Sequence, residues 1–264
     1  MGREVKVMNN TDTVLITGAS SGIGREIAKV FALHKYNLIL VSRSTEKLIK
    51  LADELIDEYK IKVEIIGQDL SKVGAAKKLF DNVTDRNLQV DILINNAGVG
   101  AVGLFHEIEI EKDMEMLQLN IITLTEITKL FSRKMIEREK GKILNVASTG
   151  SFAPGPFIAI YYATKAYVLS FSEALYKELK PYNITVTALC PGATRTNFAK
   201  TAGRENSSIA MEPNKVAKIA YEGLKNNKRV VIPGVANKIL TRLPRNFVSD
   251  MVFRYQKKLS VKRK

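Results

Sequence analysis

Cysteine occurs once in the 264 residues and histidine twice. One thiol cannot close an internal disulfide, and without a second cysteine or a histidine cluster a zinc site is excluded. Cys190 lies in ITVTALC, which reads as a buried strand, so an inert core thiol is expected. Also missing is any apolar run approaching the roughly 20 residues that span a bilayer. The opening stretch MGREVKVMNNTD lacks the hydrophobic segment of a secretion signal, so a cytosolic protein is expected. In that setting the sequons Asn183 to Thr185 and Asn206 to Ser208 go unused. Internal repeats and low-complexity linkers are absent too.

Acid is scarce in one place. The chain has 41 Lys and Arg against 27 Asp and Glu, a formal charge of +14. Residues 238 to 264 hold nine of the basic groups and one acid, Asp250, so more than half of the excess sits in the last tenth of the chain. The expectation is a catalytic domain over residues 1 to 237, nearly ordinary in charge, followed by a basic amphipathic tail over 238 to 264. No recognised nucleic-acid module accompanies that charge, so nucleic acid is not an expected partner.

With 45% hydrophobic residues the chain can bury one substantial core. Short β-branched runs alternate with longer segments of helical period. The runs are TVLIT (13 to 17), NLILV (37 to 41), KVEIIG (62 to 67), DILIN (91 to 95), KILNVAS (142 to 148), ITVTALC (184 to 190) and RVVIP (229 to 233). Helical stretches include residues 24 to 36, 44 to 59 and 165 to 180, with Ser71 as the N-cap of a third helical segment and Pro181 as the terminator of the last stretch. This pattern predicts an α/β fold: a single-domain, Rossmann-like, doubly wound parallel sheet of about seven strands with helices on both faces.

The first strand runs straight into Thr17-Gly18-Ala19-Ser20-Ser21-Gly22-Ile23-Gly24. Glycines there permit a tight turn and close approach of a pyrophosphate, and the helix that follows offers unpaired N–H donors. The spacing G-x-x-x-G-x-G differs from the usual G-x-G-x-x-G, but its place after strand one of an alternating chain favours a nucleotide site. Strand two ends in LVSRS, where Ser42 and Arg43 stand in place of the acid that commonly reads ribose hydroxyls. A guanidinium grips a 2′-phosphate with two parallel N–H bonds, so NADP(H) is expected over NAD(H).

Further motifs appear in order: Asp69-Leu70, Asn95-Asn96-Ala97-Gly98, Asn120, Ser148, Tyr161 with Lys165, and Pro191-Gly192 leading to Thr196. With TGASSGIG they make residues 12 to 235 resemble the short-chain dehydrogenase/reductase family, of the NADP-preferring carbonyl reductase type. The resemblance implies that Gly18, Ser20, Ser21, Gly22, Ile23, Gly24, Arg43, Asp69, Leu70, Asn96, Ala97 and Gly98 bind the cofactor, with Asp69 on the adenine amino group. It puts Pro191, Gly192 and Thr196 near the nicotinamide carboxamide, and Thr194 on the same loop.

Helical geometry barely separates Tyr161 from Tyr162 as the partner of Lys165, since offsets of four and three residues both share a face. The family's Y-x-x-x-K pattern, with Ser148 thirteen residues ahead, selects Tyr161. Hydride reduction of a ketone leaves negative charge on its oxygen, which needs donors and then a proton. An ammonium nearby favours phenolate and brings a tyrosine pKa down from about 10. The resemblance thus implies that Tyr161 is the acid in reduction and the base in oxidation, and that Lys165 both tunes it and binds the nicotinamide ribose. Ser148 would donate to the same oxygen, and Asn120 would interrupt its helix to hold a water linking Lys165 to solvent; Tyr162 would pack or line the wall.

The segments 149 to 160 and 193 to 211 should shape the substrate pocket. Phe152, Phe157, Ile158 and Ile160 suit a hydrophobic carbonyl compound such as a keto ester, 3-oxoacyl or steroid-like molecule, or pack against a second subunit of a homodimer or homotetramer. In the tail, Leu243, Phe247, Met251, Tyr255 and Leu259 recur at helical spacing among Arg242, Arg245, Arg254, Lys257 and Lys258. Packing on the domain or a partner is the first reading of that stripe, ahead of an anionic membrane surface or a cover over the substrate. A non-catalytic NADP(H) sensor on the same fold is the rival function.

Overall fold

The computed structural model describes residues 12–203 and 210–261. The Asn206 to Ser208 sequon, part of the 193 to 211 segment, most of the opening stretch and the Leu259 side chain lie outside what is described.

Seven strands form one parallel sheet: β1 (Thr13–Thr17), β2 (Asn37–Ser42), β3 (Val63–Gly67), β4 (Ile92–Asn95), β5 (Gly141–Val146), β6 (Ile184–Leu189) and β7 (Val230–Val231). Their order is β3-β2-β1-β4-β5-β6-β7. Around them lie α1 (Gly22–Leu33), α2 (Thr45–Tyr59), α3 (Ala75–Asp85), α4 (Ile110–Leu117), α5 (Leu124–Glu137), α6 (Ala159–Glu178), α7 (Asn197–Thr201), α8 (Pro213–Lys225), α9 (Val235–Leu240) and α10 (Arg245–Val261).

Because both sheet faces are covered, the central strands read as continuous apolar runs rather than alternating ones. Within β1, Val14 and Ile16 enter one core cluster with Phe31, Leu48, Leu55 and Leu224 of α1, α2 and α8. Leu15 enters the other, with Leu79, Ile127, Phe131 and Met135 of α3 and α5. Burial of a side chain such as Phe31 contributes about 1.5–3 kcal/mol. The topology reverses between β1 and β4, whose registered pairing includes Ile16 with Ile94, and a doubly wound sheet opens its ligand crevice beyond that junction.

Several boundaries differ from the sequence reading. The tyrosine-bearing helix begins at Ala159 rather than 165 and ends at Glu178, before Pro181. β7 shrinks to Val230–Val231, paired only with Ala188 and Leu189, and Pro233 beyond it has no N–H to extend the ladder. Ser71 is not an N-cap: Gly74 occupies that place before α3, while the Ser71 N–H and hydroxyl both donate to Asp69 Oδ1 at 3.0 and 2.8 Å. Ser44, at the N-cap of α2, makes no side-chain capping bond.

The described part of the tail docks on the domain through only part of its surface. α10 buries Val248 and Gln256, while Leu243, Phe247, Met251 and Tyr255 remain exposed. The four described members of the stripe are therefore exposed, displaced from the residues that dock. No helix among the described residues is long and apolar enough to cross a membrane.

Candidate active site

At the carboxyl edge of β1 the chain turns through Gly18 and Gly22, at φ +67° and +56°, a left-handed region that glycine enters without strain. Space is equally restrictive. A Cβ on Gly18 would lie 2.9 Å from the Ala97 Cα and from Asn96 Nδ2. The β4 turn clamps this loop: the N–H groups of Asn96 and Ala97 each donate to Thr17 Oγ1 at 3.0 Å, and Asn96 Nδ2 donates to the carbonyls of Thr17 and Gly18. Ser21 is the N-cap of α1 but makes no side-chain bond to it, so a twelve-residue helix points its amino end at the crevice with its dipole available to an anion. The Ile23 side chain packs against the first core cluster. Ser20 stays half-buried in the turn.

The β2 end carries Ser42, whose Oγ accepts from the Ser44 N–H at 3.2 Å, followed by the exposed Arg43. Arg43 Nη1 stands 3.6 Å from Glu115 Oε1 on α4. Burial tends to raise the Asp69 carboxyl, but the Ser71 donors and the charges of Arg43 and Lys72 outweigh it and hold the group below the usual carboxylate range. Leu70 is buried, and its carbonyl accepts from Thr123 Oγ1 at 2.9 Å.

Deeper in the crevice, Lys165 is fully inside the protein and donates to the Val146 carbonyl at 2.7 Å. Burial brings its pKa down to about 8. Its Nζ lies 5.8 Å from the centre of the Tyr161 ring, so the phenol and the amine share one neighbourhood. A Cβ on Gly98 would come within 3.5 Å of that Nζ and 3.2 Å of Asn120 Oδ1; the glycine keeps the space open. Asn120 sits in a π-helical turn, Gln118–Thr123, that interrupts the run from α4 into α5, as expected for this position. Its Oδ1 accepts from the Val99 N–H at 3.0 Å, and its Nδ2 donates to the Val99 carbonyl and to Thr164 Oγ1.

Ser148, two residues beyond the end of β5, is the N-cap of a 3₁₀ turn, with its Oγ accepting from the Gly150 N–H at 3.0 Å. A hydroxyl used in that way keeps its hydrogen to donate elsewhere. The Tyr162 ring presses on Gly150 and Gly155, where any Cβ would collide with it, so this second tyrosine packs the wall. Tyr161 instead meets Phe198 of α7, ring centres 5.5 Å apart.

The loop after β6 arches over the glycine turn. The Pro191 carbonyl accepts from the Thr149 N–H at 2.9 Å, and Thr194 Oγ1 donates to the Gly192 carbonyl at 3.0 Å. A Cβ on Gly22 would meet the Thr196 methyl at 3.0 Å, and the Phe198 N–H donates to Thr196 Oγ1. In the segment expected to shape the pocket, Phe157, Ile158 and Ile160 border a small cavity with Phe105, Met116 and Asp113. Phe152 packs instead on a third core cluster, with Leu124 and Cys190. Phe157 holds φ +68°, and its ring lies 5.7 Å from that of Phe253 on α10, so the tail reaches the loop ahead of α6. Cys190 is buried, and burial pushes its thiol up to about 12, consistent with an inert core residue. No group of three or more His, Cys, Asp or Glu among the described residues is placed to hold a metal ion.

Sequence reasoning missed Glu115, Phe198, Asn145 and Asn237. Asn95 Nδ2 donates to Asn145 Oδ1 and Thr128 Oγ1, and Asn145 in turn to Ser172 Oγ, a buried brace from β4 to α6. Asn237 presses on Gly192. Asparagines inside the apolar runs of β4 and β5 hinted at the brace; nothing local marks the other three.

A reversal-point crevice fronted by a glycine turn and backed by a tyrosine and lysine on one helix defines a doubly wound nucleotide-binding protein. The chain belongs to the short-chain dehydrogenase/reductase family: the short chain dehydrogenase model matches residues 12–207, and the protein is an oxidoreductase of that family. It is 28% identical over 252 residues to a very-long-chain 3-oxoacyl-CoA reductase of Anas platyrhynchos, covering 93% of this chain and 80% of that one. Against the reductase of that name from Phaeosphaeria nodorum the identity is 35% over 80% of this chain, but the match spans only 62% of the relative's length. Among solved structures, a short-chain dehydrogenase from Sphingobium yanoikuyae in complex with NADPH superposes with a TM-score of 0.81 at 32% identity, covering 95% of each chain.

Proposed function

We propose that the protein is an NADP(H)-dependent carbonyl reductase that interconverts a hydrophobic ketone and its secondary alcohol. One observation carries the reading: a buried lysine stands beside the Tyr161 ring behind a glycine turn. Gly18 and Gly22 form a cradle that a Cβ would fill, and the uncapped start of α1 suits a pyrophosphate. Gly24, Asp69, Leu70, Asn96, Ala97 and Gly98 would line it, with Arg43 on a 2′-phosphate. Pro191, Gly192, Thr194 and Thr196 would close it at the nicotinamide end. When bound, the nicotinamide supplies or accepts the hydride.

The remaining steps belong to side chains of this chain. Lys165, with a pKa of about 8, is roughly nine-tenths charged at neutral pH. Its ammonium favours the Tyr161 phenolate and so makes the phenol a better proton donor. Tyr161 would then give its proton to the ketone oxygen, or take it from the alcohol, while Ser148 donates to the same atom. Asn120, held in the π turn beside Gly98, would keep a water in contact with Lys165. Relatives named for 3-oxoacyl-CoA reduction support a hydrophobic substrate, as does the contact of the Tyr161 ring with Phe198.

Tyr161→Phe is expected to bind NADPH and to lose at least about 10²-fold in turnover of a ketone panel followed by cofactor absorbance. Tyr162→Phe is expected to keep most of the activity. The reverse pattern would refute the assignment of the proton donor, and cofactor binding without turnover of any ketone or β-keto ester by the wild type would favour a sensor. A homo-oligomer is part of the same reading, supported by exposed Ile110, Met114, Ile122 and Tyr167 on α4, the π turn and α6. Sedimentation velocity should give a dimer or tetramer, and a single monomeric species would end that part.

A further inference from the structure

We propose that Glu115 sets how strongly this protein discriminates NADP(H) from NAD(H), by holding Arg43 whenever no 2′-phosphate is present. The proposal rests on the reading of Arg43 as the phosphate-gripping residue, and adds a competitor for it.

Arg43 follows directly on β2, on the cofactor side of the sheet, and Glu115 approaches it from α4, 72 positions downstream. Their closest atoms are 3.6 Å apart, longer than a hydrogen bond but close enough for an ion pair. Both side chains are partly in water, 63% and 38% exposed, so the contact is weak and breaks without much resistance. The other carboxylate near Arg43, Asp69, is already engaged by the N–H and hydroxyl of Ser71, with the charge of Lys72 also acting on it. Glu115 is the acid whose ion pair Arg43 must give up to take a new anion.

A 2′-phosphate offers Arg43 two parallel charge-assisted bonds, which are stronger than one long ionic contact. Exchange is therefore favourable, yet Glu115 opposes it twice. It competes for the guanidinium in the empty state, and once released it leaves a negative charge a few ångströms from a phosphate dianion. A cofactor with free ribose hydroxyls meets neither penalty. The glutamate thus selectively weakens the phosphorylated cofactor and narrows the preference that Arg43 creates. A neutral side chain of the same shape at position 115 would widen it.

The experiment measures dissociation constants of NADPH and NADH separately, by cofactor fluorescence and calorimetry, for the wild type, Glu115→Gln, Arg43→Ala and the double variant, after circular dichroism shows each to be folded. Glu115→Gln should tighten NADPH about three- to tenfold and leave NADH within about twofold. The gain should shrink in about 0.5 M salt, where charge effects at partly exposed groups are screened. In the Arg43→Ala background the second substitution should do less than it does alone, because the two residues are coupled. An unchanged NADPH-to-NADH ratio in Glu115→Gln, with preference lost in Arg43→Ala, overturns the role of Glu115 and leaves the cofactor reading standing. Equal tightening of both cofactors also overturns it, since that reports a general change of the cleft. If Arg43→Ala binds NADPH as the wild type does, the reading of Arg43 itself falls.

Discussion

At the scale of the residue, Lys165 has the most testable physics. In the folded protein its pKa is about 8, and its ordinary value is 10.5. A lysine lowered in this way costs stability while it is charged. Below about pH 8 that cost is present in full; between pH 8 and 10.5 the unfolded chain binds more protons than the folded one, so stability rises with pH across that window. Denaturant unfolding should therefore show the wild type gaining on Lys165→Met by up to about 3 kcal/mol from pH 8 to 10.5; a flat difference would mean that the amine is not buried as described. Residues of this kind were legible because Tyr161 and Lys165 lie within one helical turn and Gly18 to Gly24 within one loop. Glu115 was not: its partner is far away along the chain, and a glutamate on a helix surface carries no sign of what it faces. Phe198 and Asn237 were hidden for the same reason.

At the scale of the element, the strands were easy and the interruptions hard. A strand buried on both faces announces itself as an apolar run, which is why β1, β2 and β6 fell within a residue of their expected limits. β7 did not, because RVVIP looks like a strand whether two of its residues find a ladder or five do. Asp69 drew Ser71 into a local turn, and side-chain competition of that sort imitates an N-cap in sequence. The π turn around Asn120 depends on what the amide bonds across the fold. Asn120 is wholly buried, and its Oδ1 and Nδ2 satisfy both the N–H and the carbonyl of Val99. Asn120→Ala removes the side-chain partner of both half-buried Val99 backbone groups, at about 0.5–1.5 kcal/mol for each lost bond. The expected result is a loss of about 1–3 kcal/mol in chemical denaturation; a variant as stable as the wild type would show that the turn is held by something else.

At the scale of the whole molecule, charge and fold are separable. The basic tail joins the domain through Val248, Gln256 and the Phe253–Phe157 contact, leaving Phe247, Met251 and Tyr255 outward beside Arg254, Lys257 and Lys258. A helix that shows apolar and cationic groups together suits an anionic lipid surface as well as a second subunit. Removing residues 238 to 264 should abolish pelleting with anionic vesicles, and equal pelleting of the full chain and the truncated one would assign the stripe to a subunit contact. The order of the sheet has a consequence for synthesis on the ribosome. β1 pairs with β2 on one side and with β4 on the other, so the first three strands leave the exit tunnel with the border of β1 still awaiting its neighbour, besides the permanent edge at β3. At about 5–20 residues per second the missing neighbour follows only seconds later. During that interval the nascent chain offers a sticky, unpaired rim to every other nascent chain nearby, and crowded polysomes are where this enzyme would be lost to aggregation first.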